Sequence, residues 1–148
     1  MLDDPGWLAV RCTPADVADV RNGRLAIAGD GRDLDDPRPW LLGRRQRHMS
    51  ATVSVRVDAS AGRGGIAARH DEQHWFALEA SGDGGTTTVT ARAALAGLEH
   101  TRAAELDGRY WSFEVAKSFT GRVIGLYAVH GMVTFADLRY SGTDAVPE

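Results

Sequence analysis

Acidic side chains are the first candidates for chemistry in this 148-residue chain, which carries 20 Asp and Glu residues. Paired carboxyl groups can act as general acid and base, but no pair is marked out by its spacing. Asp30, Asp33, Asp35 and Asp36 share one proline-containing loop. A solvated turn is expected there, with calcium binding as the alternative, although the spacing differs from that of an EF-hand loop. The sequence therefore predicts no catalytic residue and assigns no metal site.

Two histidines, His70 and His74, are four residues apart. On a helix this spacing would place both on one face, as in zinc sites. Here they flank a predicted hairpin turn, so no metal site is expected. The sequence also lacks the P-loop, Gly-x-Ser-x-Gly and Cys–His patterns, and no cofactor is predicted.

A basic segment contains Arg44, Arg45 and Arg47 in the sequence Leu-Leu-Gly-Arg-Arg-Gln-Arg-His. Three arginines without interleaved aromatic residues make a poor nucleic-acid site. Guanidinium groups at a strand can instead bind carbonyl and carboxylate groups bidentately. A structural or interface role is therefore favoured.

Four tryptophans, Trp7, Trp40, Trp75 and Trp111, lie in or beside apolar stretches. Burial in the core is expected for each because of this position. The alternative is stacking of sugar rings on exposed aromatic faces, for which Trp40 and Trp75 are the candidates.

Composition limits the class of protein further. The length suits one domain, and the net charge of −3 favours neither nucleic acid nor an anionic membrane as a partner. No apolar run reaches the length of a membrane span, and the first residues do not resemble a signal peptide. Cys12 is the single cysteine, so no internal disulfide forms and a cytoplasmic location is expected.

The elements that position these residues are predicted to be strands. Val123–Val129 is apolar or small at every position, which is typical of a central strand covered on both faces. Gly125 within it suggests close approach by another backbone or a large side chain. The preceding turn carries Phe119, an aromatic residue either folded into the core or presented to another molecule.

About eight strands at short spacing predict an all-β, two-layer antiparallel sandwich over residues 1–142, with a polar tail at 143–148. Ser50–Val57 alternates most regularly, and the glycine-rich stretch Gly62–Gly65 is expected to be a turn. A second turn is expected at His130-Gly131. In the strand Thr86–Leu95, Val89 and Ala91 are expected to face inward, and Thr88, Thr90 and Arg92 outward.

Several stretches together resemble one family. Leu41–His48 is similar to an "LGRRQ-H" motif, and Gly65–Phe76 to a glycine and alanine step before an acidic turn. Phe119–Ala128 is similar to an "FTG--IGLYA" motif, and Phe135–Tyr140 to a closing "ADF--Y". All four occur in the C-terminal β-sandwich domain of glycoside hydrolase family 43 β-xylosidases and arabinofuranosidases.

The resemblance implies a concanavalin A-like jelly roll that packs on a catalytic five-bladed propeller. This chain would then be a non-catalytic accessory module acting with xylose- or arabinose-type sugars. Phe119, Thr120 and Gly121 would form a loop that helps close the sugar pocket of the propeller. Candidates for the domain junction are Arg44, Arg45, Gln46 and His48.

The chain departs from the family between the Thr-rich strand and Arg109. The family has two further strands there, whereas Ala96–Asp107 is too short for both. A sandwich that lacks two strands would expose an edge and favour self-association. The alternative function is a free-standing, lectin-like carbohydrate-binding module.

Overall fold

A computed structural model describes residues 1–83, 85–96, 98–101 and 122–144 of the chain. These residues form nine strands and a single helical turn. The strands are β1 (Leu8–Ala9), β2 (Ala18–Arg21), β3 (Arg24–Asp30), β4 (Leu41–Arg45), β5 (Ser50–Asp71), β6 (His74–Asp83), β7 (Thr86–Leu95), β8 (Leu98–Thr101) and β9 (Val123–Thr143), and the helix is α1 (Pro14–Val17). Within these ranges, no helix has the length and apolar character needed to cross a membrane.

All described strand pairs are antiparallel and belong to one continuous sheet. The main order is β1-β4-β9-β5-β6-β7-β8, and the β2–β3 hairpin joins through β3, which pairs with β9. The first half of β9 pairs with β4 and its middle pairs with β3. Strand β9 therefore pairs with β4 and then with β3 along the same edge.

The long strands β5 and β9 hold the molecule together. They pair from Ser50 opposite Thr143 to Arg69 opposite Val123, with three register shifts. The turns predicted at Gly62–Gly65 and at His130-Gly131 are wrong, because both stretches lie inside these strands. A Cβ on Gly64 or Gly65 would collide with a backbone carbonyl of a neighbouring strand, so glycine allows close packing there instead of a turn.

The continuous sheet bends around a first core, as a two-layer sandwich does. Leu42 of β4 and Leu126 of β9 pack with Ile27 of β3 and with Val133 and Phe135 from the second half of β9. Gly131 lies between the two halves of β9 with a φ of 63°. This left-handed conformation suits glycine and accompanies the bend that brings the halves face to face.

A second core covers the other face of β4 and the first half of β9. Leu41, Trp75, Tyr127 and Val129 pack there with Leu34 from the loop between β3 and β4. Because Leu126 and Tyr127 are each 1 % exposed in different cores, the predicted double-sided burial of the central strand is confirmed. Gly125 has the backbone of β4 and Leu41 within contact distance, which confirms the predicted close approach.

Other local predictions from the sequence have mixed outcomes. Burial alternates regularly from Ser50 to Asp58, and the strand Thr86–Leu95 has the predicted bounds. The predicted faces of that strand are wrong for Val89, which is 69 % exposed, and for Arg92, which is 8 % exposed, whereas Ala91 is buried as predicted. The reason is a charged cluster that buries the arginine.

Candidate functional site

The basic segment, residues 44–48, leaves the end of β4 at one margin of the first core. Arg44 is held by an ion pair of 2.7 Å between its Nη2 and Asp4 Oδ2. Its guanidinium also lies 4.4 Å from the ring centre of Trp7. Arg44 is therefore satisfied within the chain.

The remainder of the segment is tied to β9. The Gln46 backbone N–H donates to the Arg122 carbonyl at 2.9 Å, and its side-chain amide donates to the His48 carbonyl at 2.7 Å. The Tyr140 hydroxyl accepts a hydrogen bond from the Arg47 backbone N–H at 3.2 Å and lies 2.9 Å from His48 Nδ1. These bonds fix the backbone from which the arginine side chains project.

Arg45 and Arg47 are exposed, and neither forms an ion pair with a carboxylate in the part of the chain that the structure describes. The segment and its neighbour Asp4 together carry three guanidinium groups and one carboxylate. Its local charge is thus opposite to the chain's net charge of −3. Such a surface attracts negatively charged groups.

Beside these arginines is a cavity of about 220 Å³. Its walls are mainly apolar side chains from β5 and β9, and its rim is basic and aromatic. The apolar residues are Val53, Ile66, Ile124, Leu126 and Leu138; Trp7, Arg44, Arg45, Arg47, His48 and Tyr140 also line it. We call this the rim cavity.

A second charged region, the Arg92 cluster, lies against the second core. Arg92 binds both carboxylate oxygens of Asp33, at 3.1 and 2.9 Å. The same guanidinium donates to Glu79 at 2.7 Å and to Glu99 at 2.6 Å. It also lies 4.9 Å from the ring centre of Trp75, so Arg92 joins a loop, two strands and the core.

Tyr127 completes the cluster from the central strand. Its hydroxyl donates to Glu79 Oε2 at 2.7 Å, in a buried hydrogen bond. Burial and the neighbouring Glu79 carboxylate raise the pKa of Tyr127 far above its usual range. Burial acts against the charge of Arg92, yet its bonds to Asp33 and Glu99 raise its pKa. Tyr127 stays neutral and Arg92 stays charged.

The acidic loop before β4 is fastened to the sheet by buried arginines. Arg69 donates to the carbonyls of Leu34 and Asp36, each at 3.0 Å. Leu34 is fully buried, and Asp33 binds Arg92. The expectation of a solvated turn is therefore wrong for this part of the loop, because its centre is packed onto the sheet.

Within the described ranges, no group of three His, Cys, Asp or Glu side chains is placed to bind a metal ion. Asp30 instead forms an ion pair with Arg32 at 2.9 Å, and this hydrogen-bonded guanidinium strongly lowers the pKa of Asp30. His74 contacts Asp71 at 2.8 Å. Asp30 and His74 are thus each paired with a neighbouring side chain of the same chain.

The two tryptophans proposed for sugar stacking differ in their surroundings. Trp75 is 1 % exposed and lies beside Arg92, so in this structure it presents no face for a sugar ring and belongs to the core. Trp40 is half-buried, with the Arg32 guanidinium 4.3 Å from its ring centre. The Arg32 side chain therefore already covers part of the Trp40 ring face.

Phe119, Thr120 and Gly121, the residues predicted to close a sugar pocket, lie outside the described residues, as does Trp111. Arg44, Arg45, Gln46 and His48 lie at one margin of the sandwich, and their place at a domain junction stays a prediction. Sequence reasoning missed the Arg92 cluster. Its one sequence signal was charged residues within otherwise apolar or small-residue strands, at Glu79 and Arg92.

Comparison with solved structures gives closely similar folds. A xylan β-1,4-xylosidase from Bacillus halodurans matches with a TM-score of 0.79 and 16 % identity over 92 % of this chain. The xyloglucan PUL protein GH43B from Bacteroides ovatus matches with 0.78 and 19 % over 93 %, and the GH43 protein BlXynB from Bacillus licheniformis with 0.75 and 18 % over 93 %.

In each case the chain spans little more than a third of the relative, with 36–37 % of those chains covered. None of the curated proteins matches the chain in sequence. Residues 4–102 match the family described as the β-xylosidase C-terminal concanavalin A-like domain. This match covers more than half of the sequence and agrees with the sandwich fold, so the chain belongs to the family of β-xylosidase C-terminal concanavalin A-like domains.

Proposed function

We propose that the chain is a non-catalytic accessory module that packs on a catalytic five-bladed propeller and helps to close its sugar pocket. The observation that carries this proposal is the extent of the structural match. The chain aligns over 92–93 % of its own length but only over 36–37 % of each xylosidase-type relative. The remaining two thirds of each relative leaves room for the domain that performs the chemistry.

The residues of this chain that would face the propeller are those of the basic segment. Arg44, Gln46 and His48 are held by internal hydrogen bonds or ion pairs, so their backbone is preorganised. A preorganised surface loses less conformational entropy on association than a flexible one. The guanidinium groups of Arg45 and Arg47, which form no ion pair with the described residues, would then bind carboxylate or carbonyl groups of the propeller.

The pocket-closing role is proposed for Phe119, Thr120 and Gly121 because their sequence resembles the family motif. Xylose- or arabinose-type sugars are the proposed substrates of the assembled enzyme, and a cytoplasmic location is proposed with it. Phe119→Ala should weaken hydrolysis by the chain reconstituted with a family 43 propeller from the same genome. An unchanged rate in that complex would contradict the role of Phe119.

The isolated chain provides the test of the non-catalytic role. Purified protein is expected to leave aryl β-xylosides and aryl α-arabinofuranosides unhydrolysed, whereas addition of the propeller should give or increase turnover. Turnover by the isolated chain that survives purification, and is abolished by substitution of one of its acidic residues, would overturn the proposal.

A further inference from the structure

The rim cavity combines apolar walls with a basic rim. Its walls are apolar, formed by residues such as Val53, Ile66 and Leu138, while its rim carries Arg45 and Arg47. The guanidinium groups of these two arginines have no carboxylate partner among the residues that the structure describes. We propose that the rim cavity binds a small organic carboxylate with a compact apolar body.

The rim cavity is small, although its side chains Val53, Ile66 and Ile124 also line a larger adjacent depression. Sites for drug-sized molecules have volumes of about 300–1,000 Å³, whereas the rim cavity has about 220 Å³. One aromatic ring or a short branched chain fits this space. Burial of such a group against Val53, Ile66 and Ile124 removes apolar surface from water, which favours binding.

The charge of the rim selects the polar end of the ligand. Asp4 neutralises Arg44 through the 2.7 Å ion pair, and its own pKa is lowered by a backbone hydrogen bond from Gly6 and by Arg44. Asp4 therefore remains an anion, and its charge is paired with that of Arg44. Two positive charges are left at the rim, and a guanidinium binds a carboxylate through two parallel hydrogen bonds.

The backbone that carries these arginines is held in place without a ligand. Gln46 is bonded to Arg122 and His48, and the Arg47 backbone is bonded to Tyr140. Ligand binding consequently has to order mainly the two arginine side chains. The same two guanidinium groups are proposed above to bind the propeller, so a bound acid would compete with the propeller for them.

The test uses the full isolated chain and three probes of one shape: benzoate, benzyl alcohol and benzylamine. Methyl signals of Val53, Ile66, Ile124 and Leu138 are followed by NMR during titration. Benzoate is expected to shift these signals and to bind at least about tenfold more tightly than the neutral alcohol, as expected for a charge-assisted hydrogen bond. Benzylamine should bind more weakly than the alcohol.

Two variants separate the charge from the apolar cavity. Arg45→Gln with Arg47→Gln should reduce benzoate affinity to that of benzyl alcohol, while Arg139→Gln, an exposed arginine elsewhere on β9, should leave it unchanged. Val53→Phe should fill the cavity and abolish binding of both probes while the rim charges remain. Circular dichroism melting shows whether each variant is folded.

Three results would overturn the proposal. One is equal affinity for benzoate, benzyl alcohol and benzylamine. Another is the absence of shifts in the four methyl-bearing residues at millimolar benzoate. The third is a double arginine variant that is folded and binds benzoate as tightly as the unmodified chain. The propeller takes no part in these measurements, so their outcome is independent of the accessory function.

Discussion

The Arg92 cluster and the basic segment are two arginine-rich regions that differ in what satisfies their charges. Arg92 is 8 % exposed and binds Asp33, Glu79 and Glu99 of the same chain. Arg45 and Arg47 are exposed, and the described residues supply no carboxylate to either. The first arrangement fastens a loop to the sheet, whereas the second is suited to a group from another molecule.

The largest expected effect is the loss of Arg92. Arg92→Met should lower the free energy of unfolding by about 3 kcal/mol, because it removes the nearest cation from the buried Glu79 carboxylate and leaves Arg63, at 3.7 Å, as the described ion-pair partner that remains. Urea denaturation of the variant and the unmodified chain measures this difference. The matched control Arg139→Met changes an exposed arginine and should stay within about 0.5 kcal/mol. A loss below about 1 kcal/mol for Arg92→Met would show that the cluster is dispensable for stability.

The prediction of outward-facing Arg92 failed for a physical reason. A strand alternates its faces, and sequence alone assigns the charged positions to solvent. That rule does not hold where charged groups from distant parts of the chain meet. Asp33 is 59 residues from Arg92 in the sequence, so the ion pair could not be read from local spacing.

The central strand was predictable because its signal is local. Every residue from Val123 to Val129 is apolar or small, and both faces are buried in the structure. The glycine stretches were misread as turns, since a turn and a close backbone crossing both favour glycine. Only the pairing of β5 with β9 and β6 distinguishes the two cases at Gly64 and Gly65.

The candidate site was predictable in part. The motif Leu41–His48 identified the basic segment, and its strand and hydrogen bonds agree with a fixed margin of the sandwich. The apolar walls of the rim cavity come from β5 and β9, which lie far from the segment in sequence. A cavity between distant elements depends on the bend of the sheet, and residue spacing does not encode that bend directly.

Two tyrosines allow a finer comparison of the same two regions. Tyr127→Phe removes a buried hydrogen bond to Glu79 and should reduce the free energy of unfolding by about 1–3 kcal/mol, the cost of leaving a buried acceptor with one donor fewer. Tyr140→Phe acts on a residue that is 43 % exposed, where water replaces the lost partner, and should cost less. Denaturant titration of both variants under one set of conditions gives the comparison. A larger loss for Tyr140→Phe would reverse the assignment of structural and surface roles.

His70 provides a third kind of polar group, buried and without a hydrogen-bond partner among the described residues. Burial lowers the pKa of His70, with Asp71 acting in the opposite direction and His74 and Arg122 adding to the decrease. The unfolded chain therefore takes up the proton first as the pH falls below about 6.5. Stability is fully present above that pH and decreases as the pH falls toward the pKa of the folded state.

Substitution of His70 isolates this contribution. His70→Gln should make the melting temperature less dependent on pH between about 7 and 5, as follows from the sign of proton linkage. His130→Gln, at an exposed histidine, is the control and should leave the slope of melting temperature against pH as it is. Identical slopes for the two variants would mean that His70 titrates as it does in the unfolded chain.

The smallest expected effect on stability is at Arg45 and Arg47 of the basic segment, which are compared here with the Arg92 cluster. Arg45→Gln with Arg47→Gln should change the free energy of unfolding by no more than about 0.5 kcal/mol, because exposed positions without specific partners contribute little. Arg44→Gln should cost slightly more, up to about 1 kcal/mol, since it breaks a partly exposed ion pair with Asp4. Urea denaturation at low and high salt measures both variants. A loss of more than about 1 kcal/mol in the double variant would place these guanidinium groups inside the chain's own network of interactions. The expected near-zero value, beside the large loss at Arg92, means that folding does not require the two charges, so a role for them lies in what the surface binds.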